Sequence, residues 1–424
     1  MKNHTFNTVS SALLNGYTEP IRDALWGHIY LTPALTALTE SSPFLRLHRI
    51  LQLGPAFRVY PGATHSRAGH SIGVYHLARR LLIHLVEEGA GSWLSPEGIK
   101  SFLCASLLHD LGHFPYTHSL KELPLTEHEV LTGNIITSEP VKSLVAHAGG
   151  DPYFTAAIVD SSRPGSGEID FFRCLLSGSL DPDKLDYLCG DGRYCGVPYG
   201  AQDVDFILSR LHPQKERGVV IDSRGISGVE SLLFSKYLMY RTVYWHRLVR
   251  SATSMVKKAL LFGLESGSIA GEELYDLDDE GLFTLAGQQK HPVFSLVDSV
   301  RSGRLFPVAA EIPFSESVHR KLSAISSRSR MEEELAHELS PLFGSELKTL
   351  IIDLPEPISL ESGLFVADEN CSFSDSTSAF KNDVLDALTG SLRVIRVFIE
   401  PQYEEKIAAF QDDILHITQK WLKL

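Results

Sequence analysis

Two stretches, HSRAGHSIGVYHLARRLL at residues 65–82 and LLHDLGHFPYTH at residues 107–118, decide how this chain is read. Around the first, His70, Val74, Leu77, Leu81 and Leu85 recur at helical spacing from about residue 66 to 88, and Gly89 offers a C-terminal stop. His70 thus shares a stripe built to pack. Before the second, Ser95 is a ready N-cap with Pro96 in the first turn, and the helix runs through FLCASLLHD to Gly112, so that His109 and Asp110 close its last turn. A lone histidine on an apolar face is usually a satisfied packing residue, and His76, His84 and His147 read that way singly.

Further along, a helix is expected near 168–177, and DKLDYLCGD then places Asp183, Tyr187 and Asp191 at i, i+4 and i+8, one above another. Residues 229–264 read as one long helix whose stripe of Lys236, Tyr240, Tyr244 and Arg247 is aromatic and basic rather than aliphatic. Beyond about residue 270, TLIIDL (349–354) and LRVIRVFIEP (392–401) are β-branched or alternating, the mark of strands among helices. SRPGSGE (162–168) and CSFSDST (371–377) read as loops. The expected fold is mainly α, with a helical domain over 1–270 and a smaller C-terminal α+β lobe over 271–424.

Composition narrows the function. With 43% hydrophobic and 21% charged residues in 424, the chain can bury a sizeable core and is not disordered. A net charge of −13 opposes coating a polynucleotide, which depends on Lys and Arg neutralising backbone phosphates. A small anion in a locally basic pocket remains compatible. Cys104, Cys174, Cys189, Cys195 and Cys371 form an odd set without a C-x-x-C pair, so buried thiols are expected rather than a disulfide framework or zinc knuckle. No run approaches the roughly 20 apolar residues that cross a bilayer, and MKNHTFNTVSSALLNG lacks a signal-peptide core; the expectation is a soluble, cytoplasmic protein without a membrane partner.

His70, His109, Asp110 and Asp183 bring two imidazoles and two carboxylates from three helices, a set suited to one divalent cation. Buried without a metal, they would leave unpaired polar groups costing several kcal/mol. Adjacent residues on a helix diverge by about 100°, so His109 and Asp110 reach one ion only if it sits beside the helix end, where Gly112 breaks the turn.

With these motifs the chain resembles the HD-superfamily hydrolases, and within them the deoxynucleoside triphosphate triphosphohydrolases, over roughly residues 20–265. The resemblance puts the H…HD…D metal ligands on His70, His109, Asp110 and Asp183, holding one ion of Mn, Mg, Fe, Zn, Ni or Co, with Arg67 beside it to hold a phosphate. It implies that Gln52 and Leu53, in LQLGPAFRVYPGATHSR, touch the sugar and crowd the place of a ribose 2′-hydroxyl. Tyr187 and Asp191 match the sugar-stacking and 3′-hydroxyl positions, and Tyr244 in YRTVYWHR matches the aromatic that also excludes the 2′-hydroxyl. Lys184, Lys236 and Arg247 are the candidates for gripping the phosphates, Lys236 standing where relatives carry Arg, and an ammonium is a point charge where a guanidinium is a fork. By the same resemblance His113, His118 and His128 are expected to surround the attacked phosphorus or protonate the leaving oxygen, and an unperturbed imidazole, titrating near pH 6.5, suits that role. The acid expected three residues after His118 is absent: Lys121 stands there, leaving Glu122 or Glu129 to orient His128, or nothing.

The function implied is hydrolysis of a deoxynucleoside triphosphate to deoxynucleoside and triphosphate. Two alternatives stay open: an HD phosphohydrolase acting on another nucleotide, and a nucleotide-sensing HD protein with little turnover. Relatives of this kind are homo-oligomers, dimers or tetramers, with nucleotide effector sites, and DALWGHIYL (23–31) lies where they place such contacts.

Overall fold

A computed structural model describes residues 9, 11–18, 20–360 and 363–422. The first described sheet is a hairpin of β1 (Pro20–Asp23) and β2 (Gly27–Tyr30), paired antiparallel with Asp23 opposite Gly27. The helical core follows. Helix α1 (Arg67–Glu87) starts where the Ser66 hydroxyl accepts from the Gly69 amide, and Gly89, at φ 105°, carries the chain out of it. Helix α2 (Pro96–Leu108) is capped in the same way by Ser95 on Gly98 and stops with His109 as C-cap.

Helices α3 (His128–Ile136), α4 (Glu168–Leu176) and α5 (Pro182–Cys195) follow, and α5, like α2, packs on α1. In α5 the Asp181 carboxylate caps the Lys184 amide, Pro182 fills the first turn, and Gly196 at φ 68° ends it. Val74, Leu77, Leu81 and Leu85 are buried as the periodicity requires, against Phe102, Phe171 and Phe172. Each such side chain removed from water contributes about 1.5–3 kcal/mol before chain entropy is charged against it.

A second small sheet runs β3 (Leu211–Gln214) to β4 (Gly218–Ile221). The expected single helix over 229–264 is two helices. α6 (Ile226–Met239) passes into a π-turn at Tyr240–Tyr244, Trp245 leaves helical geometry, and His246, extended at φ −58° and ψ 137°, caps α7 (Arg247–Ser266). The π-turn inserts an extra residue and the extended cap turns the chain, so residues before and after 245 no longer share a face.

The C-terminal region holds β5 (Val308–Pro313), α8 (Ile325–Phe343), β6 (Leu350–Asp353) and β9 (Val394–Ile399), the three strands forming an antiparallel sheet in the order β5-β9-β6. Between the last two strands lie β7 (Phe365–Val366) and β8 (Cys371–Ser372). The expected loop at 371–377 therefore begins as a two-residue strand, followed by a single 3-10 turn at Phe373–Asp375. β7 extends the β3–β4 sheet, and Leu360, Leu364, Val366 and Phe373 join the apolar cluster of the helical core. Cys104, Cys189 and Cys195 are buried as expected, but Cys174 is exposed and Cys371 half-buried, and no disulfide forms among the described residues. Among the described residues no helix is long and apolar enough to cross a membrane.

Candidate metal centre and nucleotide cavity

The end of α2, the start of α1 and the first turn of α5 converge on a cavity of about 610 Å³. Donor atoms of His70, His109 and Asp110 all lie within 4.8 Å of one another. Asp183 lies beside this group: its Oδ1 is 3.0 Å from His70 Nε2 and 3.9 Å from His109 Nε2. The early exit of α2 is what lets His109 and Asp110 face one point. Arg46 holds that exit, donating 2.6 Å hydrogen bonds to the Leu111 and His113 carbonyls.

Hydrogen-bond partners assign the ring nitrogens. His109 Nδ1 donates to the Ser106 carbonyl at 3.0 Å, which leaves the buried Nε2 carrying a lone pair with no hydrogen-bond partner. His70 Nδ1 donates to Asp186 Oδ2 at 2.8 Å, aiming its Nε2 at the same point. Two imidazole nitrogens and carboxylates of two aspartates, held by outer partners, fit a divalent cation of the first transition row or magnesium. Burial opposes charging His70, yet its hydrogen bonds to Asp183 and Asp186 hold its pKa well above the usual imidazole range. Burial likewise pushes Asp110 up, but His109, Arg67 and His70 overcome this and keep its carboxyl far below the usual range. Deprotonated ligands are what a cation needs, so it competes with one proton on His70.

Arg67, the first residue of α1, donates to Asp110 Oδ2 at 2.8 Å, while its Nε is buried without a partner beside the cavity. Next to it stand three histidines. His113 and His118 approach at 3.1 Å between Nε2 atoms, and the rings of His113 and His128 are 3.9 Å apart. Burial, then the charge of Arg67, push His113 well below the ordinary imidazole pKa; burial and Arg67 do the same to His118. Burial pushes His128 down to about 3 despite Asp110. The expectation of imidazoles titrating near neutrality is thus corrected: in the free protein all three are neutral. Of the two acids considered for His128, Glu129 lies 3.1 Å from its Nδ1, without hydrogen-bond geometry. Glu122 faces away, bound by Lys257 at 2.5 Å and by Arg328.

At the other end of the cavity Tyr244 donates to Asp191 Oδ2 at 2.7 Å, and His65, stacked on Tyr194, engages Asp191 Oδ1 at 2.8 Å. Gln52, Leu53 and Tyr187 line the same space, with Gln52 Oε1 buried and unpartnered. Lys236 lines it too, donating to the Ser359 carbonyl at 2.8 Å. Lys184 and Arg247 are not on the cavity wall. Lys184 is turned back onto the Asp181 carboxylate at 2.5 Å and the Gly178 carbonyl at 3.0 Å. Arg247 is exposed at the first position of α7, because the break at Trp245 ends the register that aligned it with Lys236. Lys257 and Arg250, farther along α7, line the cavity but are already paired, with Glu122 and Asp353.

Asp186, His65, Arg46 and Lys257 escaped the sequence reading. Asp186 left a signal, an aspartate three residues after Asp183 on the same helix; the other three act across tertiary contacts that no local spacing encodes.

Comparison with known proteins fits this geometry. The HD domain pattern matches residues 67–150, and that of the HD associated region matches residues 203–423. The chain belongs to the HD-domain family, carrying the HD domain together with its HD associated region. It is 36% identical over 225 residues to an uncharacterised protein of Bacillus subtilis, covering 53% of this chain and 50% of that one. It is 25% identical over 315 residues to the human deoxynucleoside triphosphate triphosphohydrolase SAMHD1, covering 66% of this chain and 48% of that one. The chain spans about half the length of these curated relatives. A hypothetical protein from Aquifex aeolicus matches in structure with a TM-score of 0.68 at 25% identity, covering 93% of this chain and 99% of that one. A phosphohydrolase from Bacteroides thetaiotaomicron has the same fold, with a TM-score of 0.69 at 22% identity over 91% of this chain and 100% of that one.

Proposed function

We propose that this chain is a metal-dependent phosphohydrolase that cleaves deoxynucleoside triphosphates at the α-phosphorus, giving deoxynucleoside and inorganic triphosphate. The observation that carries this reading is one cavity with the two ends such a substrate needs: His70, His109, Asp110 and Asp183 beside Arg67 at one end, and Asp191 held by Tyr244 and His65 at the other. The activity for which the human relative is named supports it as well.

His70, His109, Asp110 and Asp183 would hold the ion. A divalent cation there supplies Lewis-acid polarisation of a phosphate oxygen and a lowered pKa for bound water. The rest falls to the chain's own groups. Arg67, through its unpartnered Nε, and Lys236 neutralise charge on the phosphate oxygens, where fixed charges in a dry site act most strongly. As water adds to phosphorus the bond to the 5′-oxygen breaks, and that oxygen takes a proton from His113, His118 or His128. These imidazoles are neutral in the free site, so the bound polyanion must first raise their pKa beside Arg67. Gln52 Oε1 accepts a sugar hydroxyl, Tyr187 packs on the sugar, and Leu53 with Tyr244 crowds its 2′ position.

Deoxynucleoside triphosphates as partners, a nucleotide effector and a homo-oligomer of two or four chains belong to the same reading and rest on the sequence resemblance, while a cytoplasmic site of action and a domain division near residue 270 rest on the composition and patterning of the chain. The test is a panel of dNTPs and NTPs incubated with purified protein and Mn²⁺ or Mg²⁺. Turnover of dNTPs and not of NTPs supports the reading; equal turnover of both, or tight nucleotide binding without product, overturns it.

A further inference from the structure

We propose that Trp26, Asp186 and Gly73 form a frame that aims His70 at the cation, so that the β1–β2 hairpin helps set the affinity of the metal centre. This rests on the reading of His70 as a metal ligand.

Both oxygens of the Asp186 carboxylate, which is 5% exposed, are committed. Oδ2 accepts from His70 Nδ1 at 2.8 Å, and Oδ1 accepts from the Trp26 indole at 2.6 Å. The carboxylate fits only because position 73 is glycine: a Cβ there would lie 1.9 Å from Oδ1 and 2.7 Å from the carboxyl carbon. Three residues beyond His70 on α1, that gap lets Asp186 reach across from α5.

Trp26 is delivered by a built turn. Asp23 Oδ1 accepts from the Leu25 and Trp26 amides at 2.7 Å each, and Gly27, at φ 77°, supplies the left-handed residue that starts β2. The indole then stacks near His76 of α1, with centroids 6.2 Å apart and planes 28° apart. A ligating histidine whose second nitrogen donates to a carboxylate is fixed in tautomer and direction, and made more basic toward the metal. None of Trp26, Gly73 and Asp186 lines the cavity, so they act as positioning residues through His70.

The test titrates the full chain, stripped of metal by chelation, with MnCl₂ by isothermal calorimetry, and records the melting temperature of each metal-free protein. Asp186→Asn raises the Mn²⁺ Kd roughly 10- to 100-fold. Trp26→Phe keeps a ring against His76 and raises it about two- to tenfold, the worth of one hydrogen bond, and the metal-free melting temperature records any loss of folding stability separately. Should Asp186→Asn fail to fold, Trp26→Phe decides alone. A Trp26→Phe Kd within error of wild type, while His70→Ala loses the ion, overturns the frame and leaves the metal reading standing. Undiminished Mn²⁺ binding by His70→Ala overturns the metal reading and the frame with it.

Discussion

His70 Nε2 and Asp183 Oδ1 stand 3.0 Å apart, although they come from helices far apart in the chain. In its place Asp183 is the only one of the four donors that α5 contributes. Asp183→Ala should therefore weaken metal retention by more than about 100-fold, beyond the loss typical of an outer-shell partner. Metal analysis after gel filtration checks this. Mn²⁺ at about 100 times its Kd should stabilise the wild type by about 2.7 kcal/mol and leave the variant's melting curve unmoved.

Tyr244 donates to Asp191 and walls the end of the cavity that the proposed reading assigns to the sugar. Tyr244→Ala opens the place of the 2′-hydroxyl, so the ratio of kcat/KM for dNTP over NTP should fall about 10- to 100-fold, the range over which an apolar pocket discriminates one hydroxyl. Steady-state kinetics on paired dNTP and NTP substrates measures it. A ratio unchanged by the substitution would remove Tyr244 from sugar selection.

Lys236 predicts a pH dependence. Burial, and then the neighbouring charge of Lys184, pull its pKa down to about 8. It is a cation below that pH and loses its charge as the pH rises through it, so KM for a triphosphate should climb above about pH 8. Lys236→Arg stays charged and should flatten the rise. KM profiles of the two proteins from pH 7 to 9.5 make the comparison.

Arg250 and Asp353 pin the C-terminal sheet to the helix that walls the cavity, through paired hydrogen bonds of 2.9 and 2.5 Å, with Ser254 adding a third at 2.8 Å. Arg250 is 8% exposed and Asp353 2%. Removing one partner strands the other's charge, and Asp353→Ala should cost about 3–5 kcal/mol in denaturant unfolding. A loss under about 1 kcal/mol would mean that water reaches the arginine.

Much of this was legible before any coordinates. Ser95 caps its helix as expected, and the apolar period of α1 is buried, because caps and periodicity act within a few residues. His70, His109 and Asp110 bring their donor atoms within 4.8 Å of one another, and Asp183 Oδ1 lies 3.0 Å from His70 Nε2. Lys184 and Arg247 were misplaced for two reasons: a buried N-cap aspartate captured the first, and a π-turn, invisible to a pattern of apolar residues, turned the second away. The shift of His113, His118 and His128 to neutrality is a burial effect, which residue identity does not carry. Glu122, close to His118 in sequence, is held instead by Lys257 and Arg328 across contacts that only the packed fold creates.

The identity of the products tests the central claim most directly. A dNTP incubated with the protein and Mn²⁺, quenched with chelator and resolved by ion chromatography, should yield deoxynucleoside and tripolyphosphate in equal amounts. Orthophosphate with dNDP, or pyrophosphate with dNMP, would mean that a phosphoanhydride bond breaks instead of the ester bond to the 5′-oxygen and would contradict the account.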